Sequence, residues 1–217
     1  MRELNLCAKG FHRRKPSYGK EKAIEQVIKE NLLNRQFNQS QIDAIWVTDI
    51  TYISCADGRL YLSTYIDLAT RIPRCYKVDT HMRKEIVIQP LERYKGSLPS
   101  VVHSDRGSQY RSHSYQEFLT EKQTTHSMSH PGTPVDNAVI ESFHRSIKRK
   151  LIEPNKHKTR VEMSVLILDY LTDYYINKRI HTKFMMTPRK FGKNYSGHLT
   201  DCQLKSCNSQ FELTQNY

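Results

Sequence analysis

The sequence predicts an α/β domain built on a mixed five-stranded sheet flanked by helices. Runs of β-branched and aromatic residues over 45–54, 59–68 and 71–78 follow one another through short connections, which is typical of an antiparallel meander. Segments with helical periodicity at 81–95 and 114–121 then alternate with two further short apolar runs. With 217 residues, the chain is long enough to bury one such core.

The strands are bounded by turn and breaker residues. Ala56-Asp57-Gly58 is a turn signal between the first two strands. Residues 100–104 form a short buried strand between Pro99 and Asp105, and residues 125–128 supply the fifth strand. We therefore expect three meandering strands followed by two strands that are separated by helices.

Helices complete the expected order of elements. A short helix is predicted over 21–34, and the two prolines and the glycine of 129–134 predict a loop. A long helix is predicted from Val135 or Asp136 to about Ile152, and another over roughly 159–178. This order fits the ribonuclease-H-like fold, although order alone fits other folds too. We divide the chain into a basic arm (1–40), a core with a C-terminal helix (41–192) and a polar tail (193–217).

The charge balance points to a polyanionic partner. Lys and Arg number 34 against 22 Asp and Glu, which gives a formal net charge of +12. Such an excess favours nucleic acid or an anionic membrane surface. No stretch approaches the ~20 apolar residues of a membrane-spanning helix. No signal peptide is visible, and five scattered cysteines without a Cys-x-x-Cys pair fit a reducing cytosol. Nucleic acid is therefore the favoured partner, and a membrane is not expected.

Two carboxylates occupy unusual positions on predicted strands. Asp49 lies among aromatic and β-branched residues, where an isolated buried charge would be costly. Asp105 directly follows a strand, and the carboxyl ends of strands are where α/β sheets gather ligands. Asp49 also has an ordinary structural explanation, the solvated outer face of an edge strand, whereas the residues that follow Asp105, from Arg106 to Tyr110, are unusual for a plain turn.

A third carboxylate lies on the helix predicted to begin near Asp136. Helical periodicity places Glu141 on one face with Asn137, Arg145 and Lys148. A neighbouring apolar face consists of Ile140, Phe143, Ile147 and Leu151. Taken alone, Glu141 is explained by a solvated i, i+4 pair with Arg145. Taken together, three carboxylates that converge from two strands and a helix favour two Mg²⁺ ions and phosphoryl transfer.

Several ordered stretches resemble a known family. They are Trp46-Val47-Thr48-Asp49-Ile50-Thr51-Tyr52, Tyr61-Leu62 through Ile66-Asp67, His103-Ser104-Asp105-Arg106-Gly107-Ser108-Gln109-Tyr110, Ser127-Met128-Ser129, Asp136-Asn137-Ala138 leading to Glu141-Ser142-Phe143, and Asn177-Lys178-Arg179-Ile180-His181. They resemble the DDE transposases of bacterial insertion sequences, specifically the IS-three group, whose core is similar to retroviral integrase. Thirty-five residues separate Asp105 from Glu141, as in the D,D-35-E signature.

The resemblance implies a reaction and the residues that carry it. It implies a ribonuclease-H-like core in which Asp49, Asp105 and Glu141 are catalytic and bind Mg²⁺, with Mn²⁺ as a substitute. The reaction exposes a 3′-hydroxyl at an element end, and this hydroxyl then attacks another phosphodiester without a covalent protein–DNA intermediate. The implied DNA contacts are Asn137, Arg145, Lys148, Arg106 and Gln109.

The implied partners are the double-stranded DNA of element ends and target, and further copies of the chain on paired ends. The implied location is the bacterial cytoplasm, at the nucleoid. The opening Met1-Arg2-Glu3-Leu4 resembles the end of an upstream helix-turn-helix region, so the chain is a candidate fragment. Lys150 stands at the position after Lys148 where the resemblance implies an acidic residue. Two alternatives therefore stay open: a non-catalytic DNA-binding remnant that competes with intact transposase, and a purely hydrolytic ribonuclease-H-like nuclease.

Overall fold

A mixed five-stranded sheet forms the centre of the chain, in a computed structural model that describes residues 28–196. The basic arm up to residue 27 and the tail from residue 197 lie outside the described residues. The strands lie in the order β3-β2-β1-β4-β5. Their bounds are β1 Ile45–Cys55, β2 Gly58–Asp67, β3 Pro73–Asp79, β4 Val101–Ser104 and β5 Thr125–Met128. The five predicted strands are confirmed.

The pairing directions make the sheet mixed. β1 pairs antiparallel with β2, and β2 pairs antiparallel with β3. The tight turn at Gly58 has a φ of 140°, which an L side chain rarely adopts. β4 pairs parallel with β1 and with β5. Because the β1–β4 pairing ends at Val47 and His103, no described strand flanks β1 on that side from Thr48 onward.

Helices cover both faces of the sheet. Their bounds are α1 Glu85–Arg93, α2 His113–Glu121, α3 Ala138–Ile147, α4 Arg160–Asp169 and α5 Pro188–Ser196. One apolar cluster joins Val47 and Ile53 to α3 and α4, and the other joins Trp46 to α1 and α2. Adjacent residues of β1 thus point to opposite faces, as the pleat of a strand requires. None of the helices in residues 28–196 is long and apolar enough to cross a membrane.

The helices differ from the sequence prediction mainly at their ends. A 3₁₀ turn over Pro134–Asn137 precedes α3, and wide π-helical turns extend α3 over Lys148–Ile152 and α4 over Tyr170–Lys178. Helix α5 was not predicted from the sequence. The predicted helix over 21–34 is wrong for its described part, because residues 28–32 are irregular and a turn follows at 34–35. The earlier residues of that helix lie outside the described range.

Residues 28–37 lie against β5, the strand at one edge of the sheet. The Met128 N–H donates to the Glu30 carbonyl at 3.1 Å, and the Leu32 N–H donates to Ser127 Oγ at 2.9 Å. Leu33 is buried in the apolar cluster that also contains Ile140 and Phe143. This segment belongs to the folded unit, although it falls within the predicted arm of 1–40.

Candidate active site

Asp49 and Asp105 come from neighbouring strands that end at different points. Asp49 lies in the middle of β1, two residues beyond the last β1–β4 pair, and Asp105 is the first residue after β4. Asp49 Oδ1 accepts a hydrogen bond from the Ile50 N–H at 2.8 Å, and Asp105 Oδ1 accepts one from the Gly107 N–H at 2.9 Å. The early end of β4 therefore leaves room beside β1 for both carboxylates.

Glu141 lies on α3, which packs its apolar face against the sheet. Ile140, Phe143 and Ile147 are buried in the cluster that contains Val47, as the predicted apolar face requires. The Glu141 carboxylate makes no hydrogen bond or ion pair with any described residue, so the alternative Glu141–Arg145 pair is not formed within residues 28–196. A carboxylate without a partner, on a helix packed over β1, is available to a ligand.

Two adjoining clefts meet at these three carboxylates. The larger has a volume of 630 Å³ and the smaller one of 400 Å³, and Asp49, Asp105 and Glu141 line both. The larger cleft is also lined by Arg145, Lys148, Arg149 and Glu153. The smaller is bordered by Arg106 and by the loop from Ser129 to Pro134. The structure therefore brings together the three carboxylates that the sequence singled out and places cations beside them.

The electrostatics of the carboxylates favour a cation. Burial raises the pKa of Asp105, the Gly107 N–H opposes this rise, and the nearby charge of Asp49 raises the pKa further. A divalent cation between the carboxylates would relieve this repulsion, and carboxylate oxygens are the ligands that Mg²⁺ prefers. Within residues 28–196, no three His, Cys, Asp or Glu side chains are already arranged to hold a metal ion. The donor set fits Mg²⁺, but the side chains would have to turn toward a shared ion.

The five expected DNA contacts fall in different environments. Arg145 is exposed, and both it and Lys148 line the larger cleft. Arg106 lines the smaller cleft, where its Nε donates to the Ser129 carbonyl at 2.8 Å. Gln109 lines neither cleft, and its Nε2 donates to the Met82 carbonyl at 3.0 Å. Arg145, Lys148 and Arg106 thus line the clefts that hold the three carboxylates, whereas Gln109 does not.

Asn137, the fifth expected DNA contact, lies at the start of α3. It is only 4% exposed, and its Nδ2 donates to the Thr48 carbonyl at 3.1 Å. It belongs to the 3₁₀ turn that precedes α3, and it lines the smaller cleft together with Glu141. Its amide nitrogen ties the start of α3 to β1 next to Asp49, and its contact with DNA stays a prediction.

Three residues of the site were missed by the sequence analysis. His144 is buried, and its Nδ1 lies 3.3 Å from Asp49 Oδ2. Arg149 and Tyr52 line the larger cleft. The helical spacing of three between Glu141 and His144 was a signal that this histidine lies near the carboxylates. Arg149 follows Lys148 directly but reaches the cleft through the π-helical turn, which periodicity did not predict.

This sheet, with carboxylates from two strands and a helix beside a cation-lined cleft, defines a ribonuclease-H-like domain that processes nucleic acid. Comparisons with known proteins agree. Two family models, each described as an integrase core domain, match residues 39–134 and 122–188. The integrase catalytic core of the virus HTLV-2, solved in complex with magnesium, superposes with a TM-score of 0.54 at 15% identity. That superposition covers 69% of this chain and 95% of the viral one, and it shows the fold alone.

Two curated relatives show which proteins with an integrase core this chain is similar to. A transposase for insertion sequence element IS904 of Lactococcus lactis is 33% identical over 89% of this chain and 78% of its own length. Transposase InsF for insertion sequence IS3A of Escherichia coli is 33% identical over 71% of this chain, which spans 55% of InsF. The chain belongs to the integrase core family, as an insertion-sequence transposase of the IS3 group. It is an enzyme of the polynucleotidyl transferase type.

Proposed function

We propose that this transposase core cleaves DNA at the ends of an insertion sequence and joins the exposed 3′-hydroxyl to a second phosphodiester. Asp49, Asp105 and Glu141 are the catalytic residues in this proposal. One observation carries it: carboxylates from β1, from the end of β4 and from α3 line the same two adjoining clefts. Folding alone does not require three acidic side chains to meet there, since their mutual repulsion is unfavourable.

The carboxylates are proposed to act as metal ligands. Two bound Mg²⁺ ions, or Mn²⁺ in their place, would activate the attacking oxygen and stabilise the leaving oxygen of an in-line displacement. Asp49 and Asp105 are held by the N–H groups of Ile50 and Gly107, which orient one oxygen of each carboxylate. Glu141 has no such partner and completes the ligand set from the opposite wall of the clefts.

The cations of the clefts are proposed to hold the DNA backbone. Arg145, Lys148 and Arg149 line the larger cleft on the side of α3, and Arg106 lines the smaller one. Contacts from Arg and Lys to phosphate fix the position of a duplex without reading its sequence. We propose double-stranded DNA of element ends and target as the substrate, bound by a multimer of the chain on paired ends. The reaction would take place in the bacterial cytoplasm, at the nucleoid.

The proposal is tested with a labelled duplex that carries an element end. The native chain is expected to cut and to join this duplex in Mg²⁺ or Mn²⁺, and Glu141→Gln is expected to abolish both reactions. Glu153→Gln is the matched control, because Glu153 lines the larger cleft but lies outside the proposed triad. It should retain activity.

The products separate the alternatives. Cleavage without joined products would identify a nuclease that only hydrolyses. Equal DNA binding by native chain and Glu141→Gln, with no cleavage by either, would identify a non-catalytic DNA-binding protein. Equal loss in Glu153→Gln and Glu141→Gln would show that the cleft needs negative charge in general and would overturn the assignment of Glu141.

A further inference from the structure

Tyr52 presents an aromatic ring beside the proposed catalytic carboxylates. It lies in β1 three residues after Asp49 and is 61% exposed. Together with Asp49 and Glu141 it lines the larger cleft. Such high exposure is unusual for a tyrosine in the strand at the centre of the sheet, because aromatic residues normally contribute to the core.

The sheet explains why the ring is exposed. Tyr52 follows Ile50 on the sheet face that carries the Trp46 cluster, and Ile50 packs at the margin of that cluster. No described strand flanks β1 at this level on the side of β4, since that pairing ends at Val47. On the other side, Tyr61 is the register partner of Tyr52, and their ring centroids lie 6.2 Å apart at 81°. Tyr61 thus supports the Tyr52 ring edge to face while the cleft side stays open.

A lysine from the opposite wall reaches the ring. Lys148 Nζ lies 5.9 Å from the centroid of Tyr52, and Arg149 lines the same cleft. An ammonium group over an exposed aromatic ring is held only weakly, whereas a phosphate binds it as an ion pair. A DNA strand in the cleft would therefore draw the Lys148 ammonium group away from the Tyr52 ring and onto a DNA phosphate. The ring would then be uncovered beside a base.

We propose that Tyr52 is a base-stacking subsite, whose ring stacks on an unpaired base of the strand that enters the carboxylate cleft. The inference rests on the proposed function, because it places the reacting strand at Asp49, Asp105 and Glu141. Inside a duplex both faces of a base are covered by its neighbours, so the ring takes a terminal or displaced base. Stacking on an aromatic ring tolerates any base, which suits a reaction that also takes target DNA.

The first test detects stacking directly by photocrosslinking. The probe is an element-end duplex in which 5-iodouracil replaces thymine at one position at a time, bound to full-length Glu141→Gln protein in Ca²⁺ and irradiated. A base stacked on a tyrosine is expected to crosslink to it, and mass spectrometry should place the crosslink on Tyr52 for a position near the cleavage site. Binding without a Tyr52 crosslink at any position would overturn the proposal.

The second test measures the contribution of the ring to joining. Tyr52→Phe retains an aromatic ring and should join at the native rate, whereas Tyr52→Leu should be slower by about tenfold. A duplex mismatched at its terminal pairs should restore most of the rate of Tyr52→Leu, because its bases are already unpaired. Tyr174→Leu is the matched control, since Tyr174 is also exposed and also faces a lysine, Lys150, but lines neither cleft.

The results separate this inference from the proposed function. A crosslink at Tyr52 in a protein that neither cuts nor joins would support the subsite and reject the reaction. Joining by the native chain, with no crosslink at Tyr52 and an unchanged rate in Tyr52→Leu, would support the reaction and reject the subsite. An equal loss of rate in Tyr52→Phe and Tyr52→Leu would assign the effect to the hydroxyl group and overturn stacking.

Discussion

At the scale of single residues, the environment of Asp49 explains how one proposed metal ligand is held. Its Oδ1 is bound by the Ile50 N–H, and its Oδ2 faces His144 Nδ1 at 3.3 Å. His144 is 5% exposed, and its Nε2 is buried without a hydrogen-bond partner among the described residues. Because the ring is buried and packs against Phe143, it restricts the rotation of the Asp49 carboxylate.

We predict that His144 positions Asp49 for metal binding. In His144→Leu, the Asp49 carboxylate loses a neighbour that limits its orientation. The Mg²⁺ concentration that gives half of the maximal joining rate should therefore rise by about tenfold. His144→Asn places an amide nitrogen near the position of Nδ1 and should recover much of the native affinity. The measurement is the joining rate against Mg²⁺ concentration. An identical Mg²⁺ dependence in His144→Leu and native protein would contradict the prediction.

Some residues of the site could be predicted from the sequence and others could not. Asp49, Asp105 and Glu141 were singled out by their positions in strands and helix and by the resemblance to a family. Helical periodicity placed Asn137 beside Glu141, and both line the smaller cleft, but it did not predict the 3₁₀ turn that holds Asn137 or its hydrogen bond to the Thr48 carbonyl. Tyr52 was not recognised as part of the site, because nothing local to it shows that β4 ends before reaching its level.

At the scale of elements, the start of α3 is held by a segment distant in sequence. Asp136, 2% exposed, accepts hydrogen bonds from Arg35 Nε at 2.8 Å, from Asn31 Nδ2 at 2.9 Å and from the His130 N–H at 3.1 Å. The hydrogen bond from Arg35 holds the pKa of Asp136 well below its usual range. Arg35 and His130 are themselves more than half exposed, so these partners cover Asp136 at the protein surface.

We predict that Asp136 clamps residues 28–37 to the loop before α3. Asp136→Asn keeps the size of the side chain but loses the charge that pairs with Arg35, so unfolding should become easier by ~1–3 kcal/mol. Hydrogen exchange of residues 28–37 should accelerate at the same time. Urea unfolding and exchange mass spectrometry measure both effects. Asp173→Asn, which breaks an exposed pair with Lys178, should change stability by less than about 1 kcal/mol. Equal effects of the two substitutions would contradict the clamp.

The strands and helices of the core were largely predictable, and this contact was not. Alternation and turn residues are local signals, so the five strands and α1 to α4 follow from the sequence with errors at their ends. The pairing of Arg35 with Asp136 joins residues 101 positions apart, and no local pattern announces it. The helix predicted over residues 28–34 does not form for the same reason. Contacts of this segment with Ser127, Met128 and Asp136 override its local helical propensity.

At the scale of the whole molecule, two buried histidines connect β4 to β5 and influence global stability. His103 contacts Ser127 Oγ at 2.8 Å and Ser129 Oγ at 3.2 Å through its two ring nitrogens. His126 contacts Ser104 Oγ at 2.9 Å and Gln116 Nε2 at 2.6 Å. Burial lowers the pKa of His103 to about 4 and that of His126 to about 3. Both rings are therefore neutral in the native protein at pH 5 and above.

We predict that the whole fold loses stability in mild acid, in the window between these pKa values and 6.5. The unfolded chain takes up protons on both histidines below pH 6.5, whereas the native protein does not until about pH 4 or lower, so lowering the pH favours unfolding. The expected loss in the free energy of unfolding between pH 7 and pH 5 is roughly 2 kcal/mol for each histidine.

Urea unfolding at the two pH values measures this loss. His126→Gln retains a hydrogen-bonding side chain that does not titrate, so it should remove about a third of the pH dependence, since burial also lowers the pKa of His181 to about 4. His113→Gln is the matched control, because the His113 side chain is 70% exposed and lies outside the contacts between β4 and β5, and it should leave the pH dependence of unfolding unchanged. A pH dependence of the same size in His126→Gln and native protein would show that other groups govern acid stability.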